Sequence, residues 1–180
     1  PAFAVLALAL ARPAVLLPAT PAASQCILAN PSFEVDGSGG AAFGGWNQFG
    51  AVGATAEATH GSQAALVRGP DTGGWDVSAV WQRQDSAPGQ RWRITGHVRH
   101  RPGAPLTGGS VALVNVEWRD AAGSLLDYQS LTVADPGAPA GIDQPFTLTS
   151  DPAPQGTAAV HVLFGVQQDA GAPPPEVVYD

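Results

Sequence analysis

Apolar and polar residues alternate along most of the chain after residue 26, and no long apolar stripe at helical spacing interrupts them. The alternating segments are short and are bounded by Gly, Pro, Asp or Asn. They predict eight strands: Ala51–Ala58, Ala64–Arg68, Ser78–Asp85, Arg91–Arg101, Ser110–Asp120, Leu125–Thr132, Gln144–Thr149 and Ala158–Gln167. This spacing is typical of an all-β fold, and we expect a two-sheet antiparallel β-sandwich.

The period of two also assigns the faces of three strands, because successive side chains of a strand point to opposite sides. The apolar positions predicted to face the core are Trp92, Ile94, Gly96, Val98, Ala112, Val114, Val116, Trp118, Val160, Val162 and Phe164. The positions predicted to face outward include Arg93, Thr95, His97, Arg99, Leu113, Asn115, Glu117, His161, Leu163 and Gly165. We therefore expect Arg, His, Asn and Glu side chains to share one sheet surface.

Composition and charge narrow the possible partners. The chain has 180 residues, a formal net charge of -7 and a pI of about 4.8, and all eight of its basic residues are Arg. Such a chain offers no basic surface that would follow a phosphate backbone, so we expect no nucleic-acid partner. The 22 Gly and 17 Pro disfavour long helices, which agrees with strands joined by many turns.

The first residues read as a secretory signal. An apolar run, Ala2–Pro18, precedes the small residues of Ala19–Ser24, which would permit cleavage after Ser24. A transmembrane anchor fits less well because Pro13 and Pro18 divide the run below a membrane-spanning length. We expect residues 1–24 to be a signal peptide whose start is incomplete, a secreted protein, and no membrane contact after cleavage.

The rest of the chain, residues 27–180, reads as one domain. We expect Asn30-Pro31-Ser32 to mark the entry to its first strand and Phe33 to anchor that strand in the core. Cys26 is the single cysteine, so an internal disulfide is impossible, and the thiol either stays unpaired or pairs with another part of a longer chain. A lipid anchor on Cys26 fits less well because Gln25, rather than a small residue, precedes it. The closing residues Pro173–Asp180 begin another strand and stop, so we expect a domain truncated in its last strand and further domains on the same polypeptide.

Several motifs in fixed order give the chain a family resemblance. They are "ILANPSFEVDG" from Ile27, "GGWNQFG" from Gly44, "THGSQAALVR" from Thr59, "WDVSAVWQRQ" from Trp75, "VNVEWRDAAGSLL" from Val114, "APQGTAAVHVLFG" from Ala153 and the closing "VVYD". Together they resemble carbohydrate-binding modules of families 4, 9, 16 and 22. The resemblance implies a galactose-binding-domain-like jelly roll that binds a polysaccharide or oligosaccharide, usually beside a glycoside hydrolase domain on the same chain.

A sugar site needs aromatic rings that stack on apolar C–H faces and polar side chains that pair with hydroxyls. Alternation and the resemblance place Trp46, Trp92 and Trp118 in the core, which leaves Trp75 and Trp81 as stacking candidates. The predicted hydrogen-bonding residues are Arg93, His97, Arg99, Asn115, Glu117 and His161. The alternatives stay open: the two Trp could pack under a loop edge, and the polar face could be an ordinary solvated sheet surface.

The resemblance also implies a structural calcium ion. In the modules concerned, the Glu of a Phe-Glu pair and an Asp in the last strand bind it with carbonyls from the turn before an Ala-Leu strand. The corresponding positions here are Glu34, Asp180 and the backbone near His60. Calcium prefers hard oxygen ligands from distant segments, so it could join the two ends of the sandwich. The alternative is an exposed Glu beside a core Phe.

We expect no catalytic activity in this chain. Glu117 and Asp120 are three residues apart in a strand and its turn, so they face opposite sides and form no acid–base pair. The sequence contains no Gly-x-Ser-x-Gly elbow, His-Glu-x-x-His helix or phosphate-binding Gly loop. The sequence therefore predicts a secreted, non-catalytic module that binds polysaccharide. The alternative is a structural or adhesive extracellular β-sandwich without a sugar site.

Overall fold

Two antiparallel sheets of five strands each account for the regular structure in the computed structural model, which describes residues 27–180. The strands are β1 Asn47–Phe49, β2 Ala51–Thr55, β3 Ala64–Arg68, β4 Asp76–Asp85, β5 Arg93–His100, β6 Val111–Arg119, β7 Leu125–Ala134, β8 Gln144–Thr149, β9 Ala159–Gln168 and β10 Glu176–Tyr179. Sheet one has the order β1-β4-β9-β6-β7, and sheet two has the order β2-β3-β10-β5-β8. The all-β sandwich expected from the sequence is confirmed. The predicted signal segment and Cys26 lie outside the described residues.

The predicted strands match the observed ones closely, β10 lies within the predicted closing strand Pro173–Asp180, and one short strand, β1, adds to them. β3 and β8 have the predicted bounds, while the other predicted strands differ by a few residues at their ends. β1 was not predicted because three residues are too few to show alternation. No helix that could cross a membrane occurs within residues 27–180.

The interior between the sheets is filled by the apolar faces of the strands. The alternation predicted for β5, β6 and β9 is confirmed: Ile94 and Val98 of β5 are buried, as are Val114, Val116 and Trp118 of β6 and Val160, Val162 and Phe164 of β9. Trp46 is also buried, and Trp92 is half-buried against the same core. The three Trp side chains assigned to the core therefore belong to it.

The segment before β1 packs its aromatic rings onto the sandwich without forming a regular strand. The Asn30 side chain organises this turn, since its amide nitrogen donates to the carbonyl oxygens of Val35 and Gly44 and its amide oxygen accepts from Val35 N. Phe33 follows with a positive φ of 59°, and its ring lies 4.8 Å from that of Trp46. The expectation that Asn30 marks the entry to a first strand is wrong, but Phe33 is a core residue as predicted.

A buried amide holds this segment against sheet one. Gln82 of β4 accepts a hydrogen bond from Ala29 N at 2.8 Å and donates to the carbonyl oxygens of Ala29 and Gly45. Because buried polar groups are costly when unpaired, the three bonds fix the segment to β4.

The two sheets are also linked through one phenol. Tyr179 of β10 in sheet two is fully buried, and its hydroxyl donates to the carbonyl oxygen of Gly165 at 2.6 Å and lies 3.2 Å from that of Leu113, both in sheet one. Burial raises the pKa of the Tyr179 phenol far above its ordinary value, so the group remains a hydrogen-bond donor. The phenol therefore joins β10 to β6 and β9 across the core.

Removal of this hydroxyl should destabilise the fold measurably. We expect Tyr179→Phe to lower the free energy of unfolding by roughly 1–3 kcal/mol, because buried carbonyl groups lose their donor. Urea denaturation followed by tryptophan fluorescence would measure it. The matched control is Tyr128→Phe, which changes an exposed tyrosine and should leave stability within about 0.5 kcal/mol of wild type. Equal midpoints for the two variants would contradict the inter-sheet link.

Candidate functional site

The outer face of sheet one brings together several of the polar and aromatic residues selected from the sequence. Strand register sets Trp81, Leu163, Asn115 and Ser130 side by side across β4, β9, β6 and β7. The next row contains Arg83, His161, Glu117 and Tyr128. We call this surface the sheet-one face and define it by Trp81, Asn115, Glu117, Arg119, Tyr128, His161 and the residues between them.

An aromatic stack lies on this face. The rings of Trp81 and His161 have centroids 4.4 Å apart and an interplanar angle of 24°, so they are stacked. The neighbouring core-side residues Val80 and Gln82 are buried, as the predicted register of β4 requires. The stack fixes the Trp81 ring in one orientation, which lowers the entropy cost of using it as a platform for a ligand.

Polar groups next to the stack are arranged to accept and donate hydrogen bonds. The Glu117 carboxylate pairs with the Arg119 guanidinium at 2.6 Å. Asn115, one row away, has a buried amide oxygen without a hydrogen-bond partner, and Arg119 Nε is likewise buried and unpaired. Native proteins leave few such groups unsatisfied. The Asn115 oxygen is inaccessible in this conformation, so a ligand hydroxyl would pair with it only after the side chain turns toward the open sheet face.

The floor between these polar groups is apolar. Ala79, Leu113 and Leu163 form a small buried cluster on the outer side of sheet one, with Trp81 and Val111 packed against it. Gly165 lies at its centre, where an added Cβ would stand 3.1 Å from Leu163 Cδ2 and 3.2 Å from Ala79 Cβ. The space above Gly165 is therefore filled by Leu163 and Ala79, which gives the face a closed apolar surface rather than a cavity.

Two residues of this face were missed by the sequence analysis. Tyr128 is 58% exposed on the edge strand β7, opposite Glu117, and Arg119 pairs with that Glu. Tyr128 occupies the predicted strand Leu125–Thr132, so its alternation could have placed it on a face. Two register shifts between β6 and β7 prevented its face from being matched to that of Glu117 by counting residues.

Trp75 and Trp81 do not form one aromatic platform. Trp75 is 61% exposed and lies in the loop directly before β4, as expected for a ring in a glycine-bounded segment. Six residues separate it from Trp81, which is about 20 Å along an extended strand. Trp75 is therefore a second exposed aromatic beyond the end of the strand.

The expectation that Arg93, His97 and Arg99 share a surface with Asn115 and His161 is wrong. β5 belongs to sheet two, whose outer face points away from the sheet-one face. The alternation within β5 was correct, but strand order decides which sheet a face belongs to, and alternation carries no information about it.

The three β5 residues have other neighbours on sheet two. Arg99 is mostly buried, pairs with both carboxylate oxygens of Asp143 at 3.0 Å and donates to the carbonyl oxygen of Glu57. His97 lies beside His60, while Arg93 is exposed. Arg99 is thus held in ion pairs between segments of sheet two.

The residues expected at a calcium site meet at one turn. The Glu34 carboxylate accepts hydrogen bonds from Ser62 N, Ser62 Oγ and Gln63 N, and Asp180 Oδ2 accepts from Thr59 N and His60 N at 2.6 Å each. The Ser62 hydroxyl, followed by the amides of Gln63 and Ser62, lowers the pKa of Glu34. Both ends of the described chain are therefore fixed to residues 59–63.

This turn meets the requirements of a calcium ion in part. Two carboxylates are hard oxygen ligands of the kind that calcium takes, but the atoms that the turn directs at them are N–H donors, which cannot bind a cation. Within residues 27–180, no three His, Cys, Asp or Glu side chains already surround a common position for a metal.

The fold is similar to the β-sandwich of carbohydrate-binding modules, as the sequence resemblance predicted. Among solved structures, it is similar to TmCBM61 in complex with β-1,4-galactotriose, with a TM-score of 0.54 and 16% identity over 87% of this chain and 95% of that one. It is also similar to a family 16 carbohydrate-binding module, with a TM-score of 0.53 and 14% identity over 86% and 96% of the two chains.

A further similar structure is the enzymatically active domain of tailspike protein 4 from bacteriophage CBA120, with a TM-score of 0.56 and 16% identity. The match covers 84% of this chain and 20% of the tailspike chain, so this chain spans about a fifth of that protein. No protein-family sequence profile matches the chain, and no curated protein matches it in sequence.

Acidification should destabilise the folded chain through His161. Burial lowers the pKa of its imidazole, Arg119 and Arg83 lower it further, and Glu117 opposes them. The unfolded chain therefore binds this proton near the ordinary pKa of about 6.5, at a higher pH than the folded chain does. The contribution of neutral His161 to the free energy of unfolding is therefore present at neutral pH, and it declines as the pH falls below about 6.5.

We expect the Tm of the wild type to fall more between pH 7 and pH 5 than that of His161→Gln, measured by scanning calorimetry. Parallel declines in the two proteins would contradict the prediction.

Proposed function

We propose that this chain is a non-catalytic module that binds a polysaccharide or oligosaccharide on the sheet-one face. The observation that supports this most directly is the Trp81–His161 stack, which holds an aromatic ring on an open sheet face near the polar side chains of Asn115, Glu117 and Arg119. A sugar offers groups for both: an apolar C–H face for the ring and hydroxyls for the polar side chains.

The remaining residues of the face suit the same ligand. Glu117 and Arg119, already paired with each other, offer further acceptors and donors without a net charge between them. The apolar cluster of Ala79, Leu113 and Leu163 offers a surface for C–H contacts, and Tyr128 extends the face to its edge strand. The ligand of one structural neighbour, β-1,4-galactotriose, supports a saccharide as the class of ligand.

The wider role that we propose is that of an accessory module of a secreted enzyme acting on polysaccharide. The signal-like segment Ala2–Ser24 supports secretion. One structural neighbour is a xylanase in which a family 22 module is joined to its catalytic module, with a TM-score of 0.50 and 13% identity. The alternative is a structural or adhesive domain that keeps the fold without binding sugar.

Substitution of the stacked aromatic should abolish binding. Affinity electrophoresis in gels that contain xylan, β-glucan or galactan should show retarded migration of the wild type and no retardation of Trp81→Ala. The substitution removes the indole ring on which the sugar C–H face would stack, and with it the main apolar contact. Asn115→Ala should weaken binding by about tenfold, since one hydrogen bond of about 1.4 kcal/mol is lost. Trp75→Ala tests whether the distant ring contributes to the same ligand.

The control variant is Arg93→Ala, an exposed residue on the opposite sheet. It should migrate like the wild type. Retardation lost in Arg93→Ala and kept in Trp81→Ala would move the site to sheet two. No retardation on any glycan would favour the structural or adhesive role, and sugar release by this chain alone would contradict a non-catalytic module.

We also propose a structural calcium ion held by the carboxylates of Glu34 and Asp180 near the backbone of His60. Its support is the approach of both carboxylates to residues 59–63, which brings negative charge from both ends of the described chain to one turn. A bound ion would stabilise the contact between residues 59–63 and the two carboxylates when both carboxylates and the carbonyl oxygens of the turn face the ion.

We expect calcium chloride to raise the Tm of the wild type relative to the same protein in EDTA, and to leave the Tm of Glu34→Gln unchanged. Differential scanning fluorimetry would measure both. Identical melting of the wild type in calcium and in EDTA would mean that the N–H donors of the turn hold the carboxylates without a metal.

A further inference from the structure

Two histidines meet on the outer side of sheet two, away from the sheet-one face. His60 belongs to the turn that follows β2, and His97 belongs to β5. Their ring centroids are 5.3 Å apart with an interplanar angle of 45°. His60 is 67% exposed in its side chain, so the pair is open to solvent and to ions.

This separation suits two imidazoles that bind one metal ion. With Zn–N distances of about 2.0–2.1 Å and a tetrahedral angle, two ligating nitrogens lie about 3.3 Å apart and the ring centres behind them about 5 Å apart. The observed centroid distance of 5.3 Å matches that separation, and rotation of the side chains would turn one nitrogen of each ring toward a shared ion. Neutral imidazole is a preferred ligand of Zn²⁺, Cu²⁺ and Ni²⁺, whereas calcium prefers oxygen.

A carboxylate lies near one of the two rings, beyond hydrogen-bond distance, and would orient it after a small shift of the exposed His60 side chain. Asp180 Oδ2 is 3.9 Å from His60 Nδ1, and the Asp180 side chain is only 3% exposed because the amides of Thr59 and His60 hold it. In metal sites, the second ring nitrogen of a ligating His commonly faces a carboxylate, which fixes the ring and increases its basicity. Nε2 of His60 would then be the nitrogen available to a metal.

The backbone fixes the positions of the three residues relative to one another. His97 N donates to Asp180 O, and Asp180 N donates to His97 O at 3.1 Å, so the end of β10 is paired with β5. The carboxylate of Asp180 then holds the His60 turn. An ion shared by the two rings would link the turn directly to sheet two.

We propose that His60 and His97 bind one divalent transition-metal ion of the zinc class, with Asp180 as the residue that orients His60 and with water in the remaining coordination positions. This site differs from the calcium proposal in its ligands, which are imidazole nitrogens, and it is independent of sugar binding on the opposite sheet. Its effect is to stabilise the fold at the turn after β2.

The test is a titration of the tag-free protein with zinc chloride by isothermal calorimetry, in calcium-free buffer because Asp180 also belongs to the proposed calcium site. A Cys26→Ser background removes the thiol, which would otherwise bind zinc itself. We expect one zinc ion per chain, a zinc-dependent rise in Tm, and the loss of both in His60→Ala and in His97→Ala. Asp180→Asn should weaken zinc binding by about 10- to 100-fold.

The matched control is His161→Ala, which removes a histidine from the opposite sheet and should bind zinc like the background protein. Circular dichroism confirms that each variant is folded. Failure of the background protein to bind zinc would overturn the proposal. So would undiminished zinc binding by folded His60→Ala and His97→Ala. Neither result bears on glycan binding, which the gel experiments measure separately.

Discussion

The last strand, β10, joins the two halves of sheet two. It lies between β3 and β5, so the pair β2–β3 and the pair β5–β8 belong to one sheet only because Glu176–Tyr179 hydrogen-bonds to both. Val177, Val178 and Tyr179 are buried, and the Tyr179 hydroxyl reaches sheet one. Four residues thus complete one sheet, join it to the other and position Asp180. The sheet-one face also depends on this strand, because the Tyr179 hydroxyl contacts carbonyl oxygens of β6 and β9, which carry that face.

Alternation predicted local geometry well and sheet membership poorly, for one physical reason. Side-chain direction in a strand depends only on the neighbouring residues, so the inward positions of β5, β6 and β9 could be read from the sequence. Pairing is decided by distant segments: β5 pairs with β8 and β10, while β6 pairs with β7 and β9. Arg93, His97 and Arg99 were consequently assigned to the wrong surface although their direction relative to their own strand was right.

The Asn30–Glu34 segment was likewise predicted only in part from the sequence. The sequence identified Phe33 as a core residue and Glu34 as a residue that meets the other end of the chain, and both positions agree with the fold. It predicted a strand there because an aromatic followed a turn. The positive φ angles of Asn30 and Phe33 exclude a strand, and the Asn30 side chain stabilises the turn by bonding to its backbone. Such conformations for non-glycine residues leave no pattern in the sequence.

The distribution of charge favours an uncharged ligand for the sheet-one face. Three of the eight arginines, Arg68, Arg99 and Arg101, are paired with Glu57, Glu176 and Asp143 on sheet two. On the sheet-one face, Arg119 pairs with Glu117 and Arg83 pairs with Asp85. His161 adds no charge at neutral pH because burial and the two arginines lower its pKa. A face whose charges cancel attracts neither acidic nor basic polymers at long range. The binding proposed for this face would then depend on contact, chiefly through the stacked ring, and neutral glycan chains have the apolar faces and hydroxyl groups that such contact requires.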